Sequence, residues 1–119
     1  NQITISWDAV TEMFDGIAIP EADIIEYKIY LANVVTDLDK ANPIEIGITG
    51  DISYVITLVD EGQYFVGLQT IRKVSSTEVV ITKSVIGWTD DPAIVLDGNT
   101  FGIRYFLSPM VATGIRVGT

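Results

Sequence analysis

The chain contains no cysteine and no histidine among its 119 residues. These two absences exclude disulfides, thiolate nucleophiles, His-based catalytic triads and the usual zinc sites. The chain also has no run of about 18 consecutive apolar residues, the length that a membrane-spanning helix requires. Few routes to catalysis remain, so we expect a protein that is not an enzyme and that binds no cofactor.

Basic residues are scarce, with 7 Lys and Arg against 16 Asp and Glu and a net charge of −9. The acids are concentrated before residue 71, and none follows Gly98, where Arg104 and Arg116 are the only charged residues. Nucleic-acid phosphates and anionic membrane surfaces both require a basic footprint, which this composition does not supply. We therefore expect no nucleic acid and no inserted membrane segment among the partners.

What the chain does have is the composition of an all-β protein. Hydrophobic residues make up 48%, and there are 10 Gly, 4 Pro and 5 Tyr. Six alternating segments separated by turn residues are predicted as strands: 3–7, 25–34, 44–48, 53–58, 64–71 and 79–88. This pattern predicts an antiparallel β-sandwich. A helix over residues 19–35 is the rival interpretation, which the β-branched and aromatic residues of that segment disfavour.

The order of these segments resembles a fibronectin type III domain over residues 3–88. The stretch "ITISWDAV", which contains Trp7, resembles that family's strand B, "YKIYLA" its strand C and "VVITKSVIGW" its strand G. In "LVDEGQYFVGLQTI", Tyr64 takes the place of the family's corner tyrosine, and the resemblance implies that its hydroxyl binds nearby backbone. It implies a fibronectin-type-III-like β-sandwich over residues 1–89.

The family's first strand, strand A, has no counterpart before Ile3. A segment that resembles it, "PMVATGIRVGT", lies at the other end, inside a C-terminal extension over residues 90–119. We expect residues 109–119 to be a donor strand, with the site residues Pro109, Met110, Val111, Ile115 and Val117. We expect the acceptor to be the sheet edge left without strand A, with the site residues Gln2, Ile3, Ile5 and Trp7.

The connecting stretch "FGIRYFL" within the extension also alternates. Phe101, Ile103, Tyr105 and Leu107 fall on one face, which fits either another strand or an extended linker. Because these side chains are unfavourable in water, we expect them to pack on a neighbouring surface.

Three interpretations of the tail remain open. It enters the next copy of the protein, it docks on its own body, or it is the first strand of a following domain in a tandem array. The first makes a head-to-tail contact that does not close and so builds filaments. It predicts a structural subunit of an extracellular filament or surface assembly, whose partners are other copies of itself. The third predicts a spacer or ligand-binding module of a larger secreted enzyme, adhesin or phage virion protein.

The extracellular location is an expectation that comes from the resemblance and from the absence of an initiator methionine. Composition does not carry it, because a domain without cysteine fits either an oxidising or a reducing compartment.

Several other groups invite functional interpretations, and we weigh a structural alternative against each. Oxygen ligands that suit Ca²⁺ are present without EF-hand spacing at Asp37, Asp39, Asp90, Asp91, Asp97 and Asn99, so solvated turns are favoured and no metal site is predicted. Asp60 and Glu61 are adjacent on a turn and do not converge as a glycosidase pair would. Trp88 resembles a sugar-stacking residue, but a structural role at the sandwich edge is favoured. Arg72 and Lys73 are too few for a nucleic-acid patch.

Overall fold

The computed structural model describes residues 2–33, 40–75 and 79–118. Within these ranges there are eight β-strands, one short 3₁₀ turn and no α-helix. The strands are β1 (Gln2–Ser6), β2 (Ile24–Asn33), β3 (Ile44–Thr49), β4 (Ser53–Thr57), β5 (Gly62–Ser75), β6 (Val79–Lys83), β7 (Gly87–Trp88) and β8 (Ile103–Tyr105). The prediction of an all-β protein is confirmed, and the rival helix is absent from residues 19–33. None of the described residues forms a helix long and apolar enough to cross a membrane.

The strands form two antiparallel sheets. The smaller sheet pairs β1 with β4, and the larger sheet has the order β3-β2-β5-β6, with β7 and β8 also paired to β5. The inward side chains of both sheets share one buried core, made of Ile5, Ile29, Leu31, Ile56, Leu58, Tyr64, Val66 and Ile103. Each fully buried aliphatic side chain of this kind contributes roughly 1.5–3 kcal/mol to stability. The architecture is therefore an antiparallel β-sandwich.

β5 is the central strand of the larger sheet. One of its edges pairs with β2 over ten residues, and the other edge is divided among β8, β7 and β6. The prediction of one continuous strand over residues 79–88 was wrong in its middle, because residues 84–86 belong to neither β6 nor β7, although the amide of Ser84 still donates to the carbonyl of Thr70 at 2.9 Å. There the amide of Thr70 donates to the Ser84 hydroxyl at 3.0 Å, and the register moves by one residue between β6 and β7. This is the geometry of a β-bulge.

β8 lies in the stretch for which a strand or a linker was expected. It pairs with the first residues of β5, from Gly62 to Tyr64, and its Ile103 is only 8% exposed. The core thus includes a residue beyond position 89, where the sequence predicts that the sandwich ends and the C-terminal extension begins. Residues 106–118, by contrast, form no strand. They extend away from the body, and the molecule including this tail measures 80 × 30 × 23 Å.

Candidate functional site

β1 uses only one of its two edges for pairing. The amide of Trp7 donates to the carbonyl of Ile52 at 2.9 Å, in line with the ladder between β1 and β4. Alternate residues of an antiparallel ladder direct their backbone groups to opposite edges. The backbone groups of Gln2, Thr4 and Ser6 consequently face away from β4. No strand in the described part of the chain pairs with that side.

The four predicted acceptor residues lie on or directly after this strand. Gln2 is exposed, Ile3 is 36% exposed and Ile5 is only 7% exposed. The ring of Trp7 is half-buried and meets the ring of Tyr27 edge-on at 5.4 Å. Its indole nitrogen is buried and has no hydrogen-bond partner among the described residues. The inward-facing side chains of this edge are thus apolar, and its outward backbone groups have no strand partner among the described residues.

The body has two distinct ends. At the corner end, residues 58–62 lead from β4 into β5. At the loop end, β2 begins beside the far part of β5, where Asp23 accepts a hydrogen bond from Arg72 at 2.7 Å. The loop of residues 7–23 lies at this end, since its Val10 amide donates to the hydroxyl of Tyr27 at 2.9 Å.

Two cavities lie against β1, and a third lies beside the loop of residues 7–23 that follows it; we call the three together the open groove. From the corner end to the loop end their volumes are about 250, 500 and 580 Å³. From the corner end to the loop end, one wall is formed by residues that lie in chain order between Gln2 and Ile19. The other wall is formed by residues in the reverse order, from Tyr105 through Trp88 to Thr82. The groove therefore separates the free edge of the smaller sheet from the divided edge of the larger one.

The predicted donor segment lies outside the body. Met110 is 92% exposed, Val111 85%, Ile115 87% and Val117 94%, and Pro109 is exposed as well. The structure does not bring these side chains to the acceptor edge or to any other surface. Because these side chains are apolar and exposed to water, their burial against another surface would be favourable.

The tail leaves the body at the corner end. Tyr105 pairs with Gly62, and the amide of Leu107 donates to the carboxylate of Glu61 at 2.6 Å. Tyr105 also lines the same cavity as Gln2 and Ile3. The tail consequently begins beside the start of β1.

Tyr64 lies at the same end, near the start of β5. Its hydroxyl donates to the carbonyl of Asp60 at 2.6 Å, and its side chain belongs to the buried core. Burial raises the pKa of this hydroxyl, and the nearby charge of Asp60 raises it further. Both effects favour the neutral phenol that donates the hydrogen bond, which fixes the corner from which the tail departs.

Three of the remaining candidates, Trp88, Asp90 and Asp91, have structural partners. The ammonium of Lys40 contacts the carboxylate of Asp90 at 2.5 Å and lies about 6 Å from the ring of Trp88, which is only 9% exposed. Asp91 accepts a hydrogen bond from the amide of Ala93 at 2.9 Å. No cluster of three or more potential metal ligands occurs within the described ranges, and Asp37 and Asp39 lie outside them.

Sequence reasoning missed the second wall of the open groove. Residues 89–101 are held there by backbone bonds, from the Thr89 amide to Val66 at 3.0 Å and from the Phe101 amide to Thr89 at 2.9 Å. The alternation of Phe101, Ile103 and Tyr105 was the available signal. It indicated a strand without indicating which edge that strand would join.

Comparisons with known proteins return no match to a family model, to a curated protein or to a solved structure.

Proposed function

We propose that the protein is a non-catalytic structural subunit that joins copies of itself head to tail. Each copy places its C-terminal strand in the open groove of the next. The proposal also places the assembly outside the cell, because the sequence resembles fibronectin type III domains. The proposal is supported by an unpaired backbone edge and an uncovered apolar C-terminal segment in the same chain.

The two surfaces have matching chemistry. The edge of β1 offers outward N–H and C=O groups at Gln2, Thr4 and Ser6, and an added strand would pair with them. The tail offers the exposed aliphatic side chains of Ile115 and Val117. Each of these gains roughly 1.5–3 kcal/mol on full burial, and each new backbone hydrogen bond adds a net of about 1 kcal/mol.

The direction in which the tail leaves the body is the observation that carries the proposal. Strand A of the resembling family runs antiparallel to strand B, so the donor must start at the loop end and finish at the corner end. Within one chain, the four peptide steps from Tyr105 to Pro109 reach at most about 14 Å. The eight steps from Pro109 to Val117 extend about 27 Å along the strand. A chain whose tail starts at the corner end therefore cannot place the whole donor antiparallel on its own β1.

A second copy beyond the corner end has no such difficulty. If the loop end of the second copy faces the corner end of the first, the tail of the first copy enters at that loop end. It then runs antiparallel to β1 of the second copy without reversing its direction. The donor surface and the acceptor surface are different patches, so the contact is heterologous and repeats without closing. The product is an open-ended polar filament.

Charge supports the encounter between tail and body. Arg116 is the only charged side chain after β8, and all 16 acids lie before Gly98. Opposite charges of this kind increase the rate of association more than its final affinity. High salt is accordingly expected to slow assembly and to leave the assembled state largely intact.

Light scattering after gel filtration tests the proposal. The full chain is compared with a chain ending at Leu107 and with a full-length control that carries Ile115→Ser and Val117→Ser. Open-ended polymers are expected from the full chain, and monomers of about 12 and 13 kDa from the other two, given 13.0 kDa for the whole chain. A full chain that stays a 13.0 kDa monomer at every concentration would overturn the proposal.

The second candidate is a spacer or ligand-binding module of a larger secreted enzyme, adhesin or phage virion protein. The observation that favours it is the same unpaired edge, which the strand of a neighbouring domain would cover equally well. It predicts monomers in all three samples. The two candidates therefore give opposite results in one experiment.

A further inference from the structure

We infer a specific register for the donor strand, in which the residue numbers of each donor–acceptor pair add up to 120. Val117 then lies beside Ile3, Ile115 beside Ile5 and Thr113 beside Trp7. In this register the hydroxyl of Thr113 accepts a hydrogen bond from the indole N–H of Trp7. The inference rests on the proposed function and specifies which residue fills which part of the open groove.

The alternation of the tail restricts the register first. From Val111 onwards, odd-numbered positions carry the β-branched side chains Val111, Thr113, Ile115 and Val117, and even-numbered positions carry Ala112, Gly114, Arg116 and Gly118. On β1 the odd-numbered positions face the core, as the burial of Ile5 shows. Paired residues of neighbouring strands lie on the same face of a sheet. Odd residues of the donor must pair with odd residues of β1, which excludes every register with an odd sum.

The indole of Trp7 selects among the even sums. A buried donor without a partner costs about 1–3 kcal/mol, so an arriving strand that supplies an acceptor is favoured. A sum of 118 would put Val111 beside Trp7, and a sum of 122 would put Ile115 there. Neither side chain accepts a hydrogen bond. Only the sum of 120 puts the hydroxyl of Thr113 at this position.

The remaining positions fit the dimensions of the groove. Val117 enters the cavity of about 250 Å³ at the corner end, which Ile3 also lines. Thr113 reaches the middle cavity of about 500 Å³ beside Trp7. Gly114, whose φ of +68° in the free tail departs from strand geometry, falls opposite Ser6, the last residue of β1. Met110 and Val111 continue into the apolar cavity at the loop end.

Cysteine cross-linking measures this register directly, because the chain has no cysteine of its own. Chains with Thr4→Cys are mixed with tagged chains that carry Arg116→Cys and are then oxidised. The two residues form a directly opposed pair in the inferred register, with Cα atoms about 5.5 Å apart, inside the range that a disulfide spans. Matched controls carry Gly114→Cys or Gly118→Cys, displaced by about 7 Å along the strand.

We expect the heterodimer from Arg116→Cys to form at least fivefold faster than from either control. Equal or faster cross-linking at position 114 or 118 would overturn the register and leave donor-strand exchange intact. Absence of heterodimer at all three positions, together with a monomeric full chain in light scattering, would overturn the proposed function itself.

The hydrogen bond to Trp7 has its own test. Thr113→Val keeps the shape of the side chain and removes the acceptor, whereas Thr113→Ser keeps the hydroxyl. We expect Thr113→Val to weaken the subunit contact about tenfold and Thr113→Ser to stay within about threefold of the unaltered chain, measured as the concentration at which polymers dissociate. A Thr113→Val chain that assembles as tightly as the unaltered chain would contradict the assignment of Thr113 to Trp7.

Discussion

The hydroxyl of Tyr64 joins the buried core to the corner from which β5 starts. Tyr64→Phe removes this donor and leaves the carbonyl of Asp60 without it. We expect the free energy of unfolding to fall by about 1–2 kcal/mol in urea denaturation, within the range for a lost hydrogen bond whose partner stays behind. Tyr105→Phe is the matched control, because the described residues contain no partner for the Tyr105 hydroxyl. An equal loss in both variants would contradict the role of the bond.

The same hydroxyl gives the stability a pH dependence. Burial and Asp60 raise the pKa of Tyr64 in the folded state above its ordinary value of about 10. The resulting stabilisation is complete below about pH 10 and is lost as the pH rises through the folded-state pKa, because the ionised phenolate no longer donates. We expect the difference in unfolding free energy between the unaltered chain and Tyr64→Phe to shrink as the pH rises above about 10. Curves that stay parallel over this range would contradict it.

Single residues differ in how far their sequence context predicts them. The inward positions of Ile29, Ile56 and Val66, all fully buried, follow from the two-residue period of a strand. The unpartnered indole of Trp7 does not follow from any local pattern. It depends on Tyr27 and on a wall built some 80 residues later in the chain, so only the three-dimensional structure reveals it.

At the scale of the strand, the free edge of β1 can be blocked without disturbing its pairing with β4. Thr4→Pro removes an outward N–H, and proline is tolerated at such edge positions. Val55→Pro is the matched control, because Val55 is paired with Thr4 and directs its own N–H to the opposite edge of the same sheet. We expect Thr4→Pro to abolish polymers in gel filtration and Val55→Pro to preserve them. Loss of assembly in both variants with unchanged circular dichroism would point to a contact on another surface.

Most strands were predictable, and the exceptions have physical causes. The bulge at residues 84–86 escaped prediction because "VVITKSVIGW" alternates without a break, and the interruption arises from the Ser84 hydroxyl bonding across to β5. The two-residue strand β7 is too short to leave a pattern of its own. The pairing of β8 with β5 depends on contacts between residues about 40 positions apart. The alternating pattern within β8 does not indicate which strand it will join.

At the scale of the whole molecule, we expect the body to end and the tail to begin after Leu107, whose amide is the last group bonded to the body. A chain ending at Leu107 should unfold with the same free energy as the full-length monomer, within about 0.5 kcal/mol, because the removed aliphatic side chains are at least 85% exposed. A chain ending at Gly102 also loses β8 and the buried Ile103, so a loss of about 2–5 kcal/mol is expected. Urea denaturation at a concentration too low for assembly measures both. Equal stability of the two shortened chains would contradict the place of β8 in the core.

In the proposed filament, the exit of the tail beside the start of β1 would give the two ends of the polymer different chemistry. One end would carry an empty groove and the other an unpaired C-terminal segment, so we expect growth at each end to be inhibited by a different molecule. A free peptide of residues 109–119 competes only for the groove, and a body ending at Leu107 captures only the strand. We expect each to terminate the growth of the proposed filament at a substoichiometric dose, so that the ratio of terminator to subunit sets the length of the polymer.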